Sequence, residues 1–399
     1  MATDKTHPAY LVSACRTPIG AFQGGLAPKS ATELGALVIR EAVRRAGVSS
    51  ESVDEVIMGN VIQAGNGQAP ARQAAIHSGL PPTIPAMTVN KVCGSGLKAV
   101  MLAAQSIRAG DNECVVAGGM ESMSNTPYLL RGAKQGLRFG HKKFEDTMIL
   151  DGLWDPFENW HMGNAAEYTA DKGGVSRDRQ DEFSLSSHNK ALAAIESGKF
   201  KDEIVAVEIP QRKGDALIFE TDECPRPGLT LDKLGKLRPA FQKEGGTVTA
   251  GNSPGLNDGA SALVVVSEKT LKEQNLTPLA RVVEYAAAGV EPKDLFFAPI
   301  YAVQALMAKM EVMIDHFDLI EANEAFAVQA LADGDGLGWD WERVNVHGGA
   351  VALGHPIGAS GARVLTTLIY ALKDRSKKTG LATLCLGGGN AVAMAIEAL

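Results

Sequence analysis

Aromatic residues are scarce, at 6% of 399 positions. Cysteine is scarcer: Cys15, Cys93, Cys114, Cys224 and Cys385 are odd in number, far apart and without a Cys-x-x-Cys spacing. That pattern argues against a zinc site and a disulfide framework and fits a reducing compartment. No apolar run approaches the ~20 residues of a membrane span. The opening Met1-Ala-Thr-Asp-Lys-Thr-His has neither an apolar signal core nor an Arg-rich transit pattern. The closing Glu397-Ala398-Leu399 is not a peroxisomal tripeptide. Positive charge is not in excess either: Lys+Arg 39 against Asp+Glu 46 gives a net −7. This balance argues against nucleic acid or an anionic membrane as the main partner. These absences leave a cytoplasmic α/β enzyme as the expectation.

What is present is material for a core. Hydrophobic residues make up 45% of the chain, and glycine is abundant at 43 positions. Many tight turns and close backbone approaches follow. The length alone suggests two to three domains, at roughly 150 residues each. An internal echo sharpens this. Val56-Ile57-Met58-Gly59-Asn60 resembles Leu319-Ile320-Glu321-Ala322-Asn323, two apolar runs ending at asparagine. Ser95-Gly96-Leu97-Lys98-Ala99-Val100 parallels Ser360-Gly361-Ala362-Arg363-Val364. Cys114-Val115-Val116-Ala117-Gly118-Gly119 parallels Leu384-Cys385-Leu386-Gly387-Gly388-Gly389. The three matches keep one order at nearly one offset, about 265 residues, as duplicated βαβ halves require. Chance likeness of glycine-rich strand ends is the competing explanation.

Each half alternates short β-branched runs with helical periods, which implies mostly parallel strands covered by helices. Leu97, Val100, Met101 and Ala104 form one apolar stripe, closed by Gly110. Val364, Leu365, Leu368 and Leu372 form another. Residues 124–250 differ: they are rich in polar and turn residues. A helix is expected from Ser176 to Ser197, stopped by Gly198, with extended loops elsewhere. Long loops of this kind usually serve function. The division is therefore 1–123, first half; 124–250, a loop and substrate-binding insertion; 251–275, return of the first half; and 276–399, second half.

Four positions carry chemistry. Cys93, in Asn90-Lys91-Val92-Cys93-Gly94-Ser95-Gly96, sits at a strand-to-helix turn. Unpaired N–H groups and the helix dipole there are expected to lower its pKa and favour thiolate. A free cysteine is otherwise a small buried hydrophobe. His355, in Gly354-His355-Pro356-Ile357-Gly358, also precedes a helix. A falling pKa there would keep the imidazole neutral and able to activate a thiol; a capping histidine is the bland alternative. Cys385 ends a strand ahead of Leu386-Gly387-Gly388-Gly389, whose N–H groups can bind an oxyanion. Packing is the plainer role for Cys385. Asn323, at another strand end, can hold a water or a substrate oxygen, or cap the next helix.

The motifs around Cys93, Asn323, His355 and Cys385 resemble those of the thiolases, most closely the acetyl-CoA C-acetyltransferase branch, along nearly the whole chain from Arg16-Thr17-Pro18-Ile19-Gly20 to Gly389-Asn390. The resemblance implies the thiolase fold: two βαβαβαββ halves in a layered αβαβα core, with a loop domain inserted in the first half. It also implies a homotetramer, or at least a dimer. By position, Cys93 would carry the acyl group and His355 would deprotonate it. Cys385 would be the second acid/base. Asn323 would hold a water that, with His355, stabilises an enolate. The N–H groups of Cys93 and Gly387 would form a second oxyanion hole.

No permanently bound cofactor is implied; coenzyme A is substrate and product, with acetyl-CoA and acetoacetyl-CoA. Arg226 would sit by the adenine or phosphate end. Leu153, His161, Met162, Ala250, Ser253 and Phe326 would line the pantetheine and acyl region. The His161-Met162-Gly163 stretch resembles the short-chain branch. One departure is Pro254, where the family often has a pantetheine-bonding serine; Ser253 is a possible replacement. Two other readings remain open: a degradative 3-ketoacyl-CoA thiolase for longer chains, and a non-catalytic acyl-CoA or lipid carrier.

Overall fold

Strands form where β-branched and small apolar residues run together, and helices where apolar residues recur every three to four positions. In the computed structural model, which describes residues 7–399, β1 (Ala9–Arg16) and β2 (Gly20–Ala21) lead into α1 (Ala31–Ala46). Then come β3 (Glu55–Gly59), α2 (Pro70–His77), β4 (Ala86–Val89), α3 (Ser95–Ala109) and β5 (Cys114–Ser122). A long excursion follows. It carries the hairpins β6 (Tyr128–Leu130) with β7 (Phe144–Asp146) and β8 (Trp154–Asp155) with β9 (Trp160–His161). Helices α4 (Met162–Gly173) and α5 (Arg177–Glu196) come next. The hairpin β10 (Val207–Ile209) with β11 (Leu217–Phe219) and the short α6 (Leu231–Gly235) complete it. The chain returns in β12 (Asn257–Ser267) and α7 (Glu268–Glu273). The second half runs β13 (Ala280–Gly289), α8 (Ala298–Met310), β14 (Leu319–Ala322), α9 (Ala327–Leu337), α10 (Ala350–Leu353), α11 (Ile357–Asp374), β15 (Thr379–Leu386) and β16 (Asn390–Ala398).

The main sheet has the order β14-β15-β16-β13-β1-β12-β5-β3-β4, with β2 paired to β12. Outward from the β13–β1 contact, both halves present their strands in the same succession. β13, β16, β15 and β14 answer β1, β12, β5 and β3. β3 is parallel to β5 and β4, as β14 is parallel to β15, but the other pairings are antiparallel, so the sheet is mixed and the expectation of mostly parallel strands is corrected. The first echo therefore falls on the equivalent strands β3 and β14 and the second on helices α3 and α11, while the third falls on the equivalent strands β5 and β15 but out of register. The duplication is imperfect at one place: β4 has no full counterpart. In the second half that strand is reduced to a single bridge, Val344 to Ile320.

Helices α3 and α11 pack against each other and against strands of both halves. Helices α1 and α2 cover the far face of the first half, and α8 that of the second. The result is the αβαβα layering. Sequence explains why the middle layer is so thin. The echoed glycines face the opposite helix: a Cβ on Gly361 would stand 2.3 Å from the Leu97 backbone nitrogen, and one on Gly96 would stand 2.6 Å from that of Ala362. Only hydrogen fits at either point.

The excursion contributes no strand to the main sheet. Helix α5 matches expectation: Ser176 caps it, and Gly198 turns the chain at φ +71°. Helix α4, in a stretch read from sequence as loop, is a correction. Its cap is His161, whose Nδ1 accepts from the Gly163 N–H at 3.0 Å. Histidine is not among the usual capping residues, so the sequence carried no start signal. Residues Met148–Leu153 form a wide, π-type turn. Among the described residues no helix is long and apolar enough to cross a membrane.

Replacing Gly361 with alanine is expected to destabilise the protein by about 3 kcal/mol, the upper range for overpacking. Gly235→Ala, where a Cβ meets nothing within 4 Å, is the control. Thermal unfolding of the two variants checks this; equal midpoints would refute the close crossing.

Candidate active site

Cys93 lies on the turn joining β4 to α3. Val92 just before it has φ +48°. For a β-branched residue this left-handed conformation is strained, at a cost of about 1–3 kcal/mol. Three hydrogen bonds hold the strain in place. Asn90 Oδ1 accepts from the Val92 N–H at 3.0 Å, and Ser95 Oγ accepts from the Lys91 N–H at 2.9 Å. Ser95 Oγ also donates to the Val92 carbonyl at 2.6 Å. The turn presents Cys93 to a cavity of about 310 Å3 walled largely by apolar side chains. His355, Cys385 and Gly387 line the same cavity, although they come from the other half of the chain. The backbone N–H groups of Gly387 and of Cys93 itself bear on the Cys93 sulfur.

The protonation state of Cys93 differs from the sequence expectation. Burial pushes the thiol up to about 12, outweighing the two N–H groups that pull it down. A helix terminus favours thiolate, but among these apolar walls desolvation wins. The resting nucleophile is a thiol.

His355 is neutral, as expected, but for a different main reason. Burial, followed by the positive field of Arg363, lowers its pKa to about 3. Its tautomer follows from the hydrogen bonds. With its hydroxyl proton on the Pro356 carbonyl, 2.9 Å away, Ser360 Oγ accepts from His355 Nδ1 at 2.6 Å. The Nδ1 proton leaves Nε2 as a free base. Nε2 faces Asn323 Nδ2 at 3.5 Å, the long end of a hydrogen bond.

Asn323 follows β14 and is fully buried. It does not cap α9, which begins four residues later after Phe326. Its Oδ1 has no protein partner among the described residues. Cys385 sits near the end of β15, packed with Phe296, Phe326 and Ala325. Burial, then the neighbouring Cys93 and Asp333, push its thiol well above the ordinary value.

Of the proposed coenzyme contacts, Leu153, His161, Met162, Ser253 and Phe326 line the cavity; Arg226 and Ala250 do not. Those two are joined to each other, Arg226 Nη1 donating to the Ala250 carbonyl at 3.2 Å. Pro254 also lines the cavity. Ser253 gives its hydroxyl proton to the Thr249 carbonyl at 2.9 Å, so only its lone pairs are free. Sequence reasoning missed five contributors. Ser360 was visible in the repeat, and its i+5 spacing from a histidine could have suggested a partner. Phe241, stacked on His161 at 4.9 Å, gave no local signal. Met123, Met148 and Ile357 form an apolar wall beside Cys93 and Leu153. Among the described residues no group of three or more His, Cys, Asp or Glu could hold a metal ion.

Comparison with known proteins bears on this geometry. Residues 9–269 match the family model described as "Thiolase, N-terminal domain", and residues 276–398 match "Thiolase, C-terminal domain". The chain is 57% identical to an acetyl-CoA acetyltransferase of Cupriavidus necator over 97% of its own length and 98% of the relative's. It is 54% identical to one of Escherichia coli, covering 98% of each chain. A crystal structure of the Bacillus anthracis acetyl-CoA acetyltransferase superposes with a TM-score of 0.96 at 45% identity, over 98% of this chain and 99% of that one. With both halves matched and the fold shared, the chain belongs to the thiolase family.

Proposed function

We propose that the protein condenses two molecules of acetyl-CoA to acetoacetyl-CoA and free CoA, reversibly, through an acetyl-cysteine intermediate. The observation that carries this reading is the meeting of two thiols, one neutral imidazole and a backbone N–H pair around one apolar cavity. A carrier has no use for such a set. The full-length relatives quoted above are named for acetyl-CoA, not for longer acyl chains.

In the first half-reaction His355 Nε2 takes the Cys93 proton as the sulfur attacks the thioester carbonyl. The oxyanion points at the N–H groups of Cys93 and Gly387; one such donor is worth about 10²–10³ in rate. CoA departs with a proton from Cys385, leaving that residue as thiolate. Its high affinity for protons makes this thiolate a strong base. In the second half-reaction it removes the α-proton of a second acetyl-CoA, and the enolate oxygen is held between the imidazolium and a water on Asn323. The enolate carbon attacks acetyl-Cys93, and the departing Cys93 sulfur recovers its proton from His355. Atoms and protons balance, and no bound cofactor is required. Leu153, His161, Met162, Ser253 and Phe326 hold the pantetheine and acyl portion. Arg226 and Ala250 lie outside the cavity, on the side of the distal end of the coenzyme in this reading.

The protein works as a homo-oligomer. Among the described residues the outer edge of β4 ends the main sheet unpaired, with Met87 42% exposed, and the excursion exposes Tyr128, Phe139 and Phe144. Free edges and apolar tips of this kind are covered in native assemblies. All five cysteines are free thiols, which suits a reducing cytoplasm.

Four outcomes are expected. Mass spectrometry after brief exposure to acetyl-CoA finds a single acetyl adduct, absent in Cys93→Ala. In Cys385→Ala acetylation survives at a reduced rate, because a thiolate leaves unaided, while condensation is lost; equal loss of both steps contradicts the division of roles. Alkylation of Cys93 by iodoacetamide tests its protonation: with the folded thiol at about 12, the thiolate fraction rises with each pH step between roughly 6 and 9. A plateau below pH 8 would mean a preformed ion pair. Light scattering reports the assembly, and a monomer at assay concentration refutes it.

A further inference from the structure

Asn257, the first residue of β12, is fully buried and touches no reacting atom that the mechanism uses. Every polar group of its side chain is engaged. Oδ1 accepts from the His355 backbone N–H at 2.8 Å. Nδ2 donates to the Gly20 carbonyl at 3.0 Å and to Cys224 Sγ at 3.1 Å. Its own backbone N–H points at Met123 Sδ, 3.3 Å away. The orientation of the amide is fixed, because the reverse would set an NH2 against the His355 N–H and an oxygen against a carbonyl.

A second observation is independent of these bonds. Gly354, immediately before His355, has φ +108°, and a Cβ there would stand 2.6 Å from Asn257 Cγ. The amide therefore packs flat on the loop that carries the histidine, and only glycine leaves room for it. Ser360 fixes the imidazole ring from one side, and Asn257 fixes the backbone from the other.

From this we infer that Asn257 is a positioning residue for His355. It belongs to the first half of the duplication and holds the base of the second half against the first-half nucleophile. His355 serves both half-reactions, so a shift of its backbone slows both. Misplacement by about 1 Å can cost 10²-fold in rate. The inference rests on the proposed role of His355 as base.

The test compares His355→Ala, Asn257→Ala and Asn257→Asp in the full-length protein. Rapid-quench mass spectrometry gives the acetylation rate of Cys93, and steady-state assays give kcat and KM for condensation. Asn257→Ala is expected to slow both steps by about 10- to 100-fold at saturating acetyl-CoA, with KM little changed. Asn257→Asp is a pH-dependent rescue. Its protonated carboxyl can accept from His355 and donate to the Gly20 carbonyl, whereas the carboxylate repels that carbonyl. Its rate should rise relative to the parent as pH falls. The inference is overturned if Asn257→Ala keeps acetylation within about threefold of the parent, or raises KM alone. If Asn257→Ala does not fold, an Asn257→Asp rate that tracks the parent at every pH overturns it. Full activity in His355→Ala would instead overturn the assignment of the base, which separates the two failures.

Discussion

The site depends on one backbone contact, the crossing of α3 and α11 at Gly96 and Gly361. Cys93 lies two residues before α3, and His355 lies two residues before α11. Because the helices touch near their first turns, the nucleophile and its base meet although most of the chain separates them. Any side chain at the crossing would push the two starts apart. The duplication thus does more than repeat a stable unit. It supplies two equivalent helix starts and a glycine on each that lets them converge.

The cavity these starts share is walled largely by apolar side chains, and desolvation sets its protonation states. Burial raises both thiols and lowers the imidazole. The resting site is therefore uncharged, and charge is created only as substrate reacts. Donors that would do little in water act strongly on an oxyanion in such surroundings. Ser360 contributes by accepting from the Nδ1 tautomer, which leaves the lone pair on Nε2, the nitrogen turned toward Asn323.

Much of this was legible in the chain. The echo around Asn60 and Asn323 located equivalent strand ends and that around Gly96 and Gly361 the facing helix starts, whereas Gly118 lies inside β5 and Gly388 beyond the end of β15, so the third match is out of register. Strand ends are where such folds place reactive groups, so Cys93, Asn323, His355 and Cys385 could be picked out. What escaped was decided by tertiary surroundings. The protonation of Cys93 depends on how much water the pocket admits, which no local motif records. Helix α4 begins on a histidine cap and escaped the usual signals. Phe241 reaches the site only through packing on His161. Arg226 and Ala250 pair with each other outside the cavity, a relation between two loops that spacing does not reveal.

The truncated repeat has a consequence for how copies can add. In the first half β4 leaves an open row of backbone groups, but the matching border of the second half is closed. Beside β14, the Ile320 N–H donates to the Arg343 carbonyl and the Ile320 carbonyl accepts from the Asn345 N–H. A chain with two open borders could polymerise head to tail without end. With one, strand addition stops once two like edges have met, so losing a single strand from the copied half guards against fibre growth.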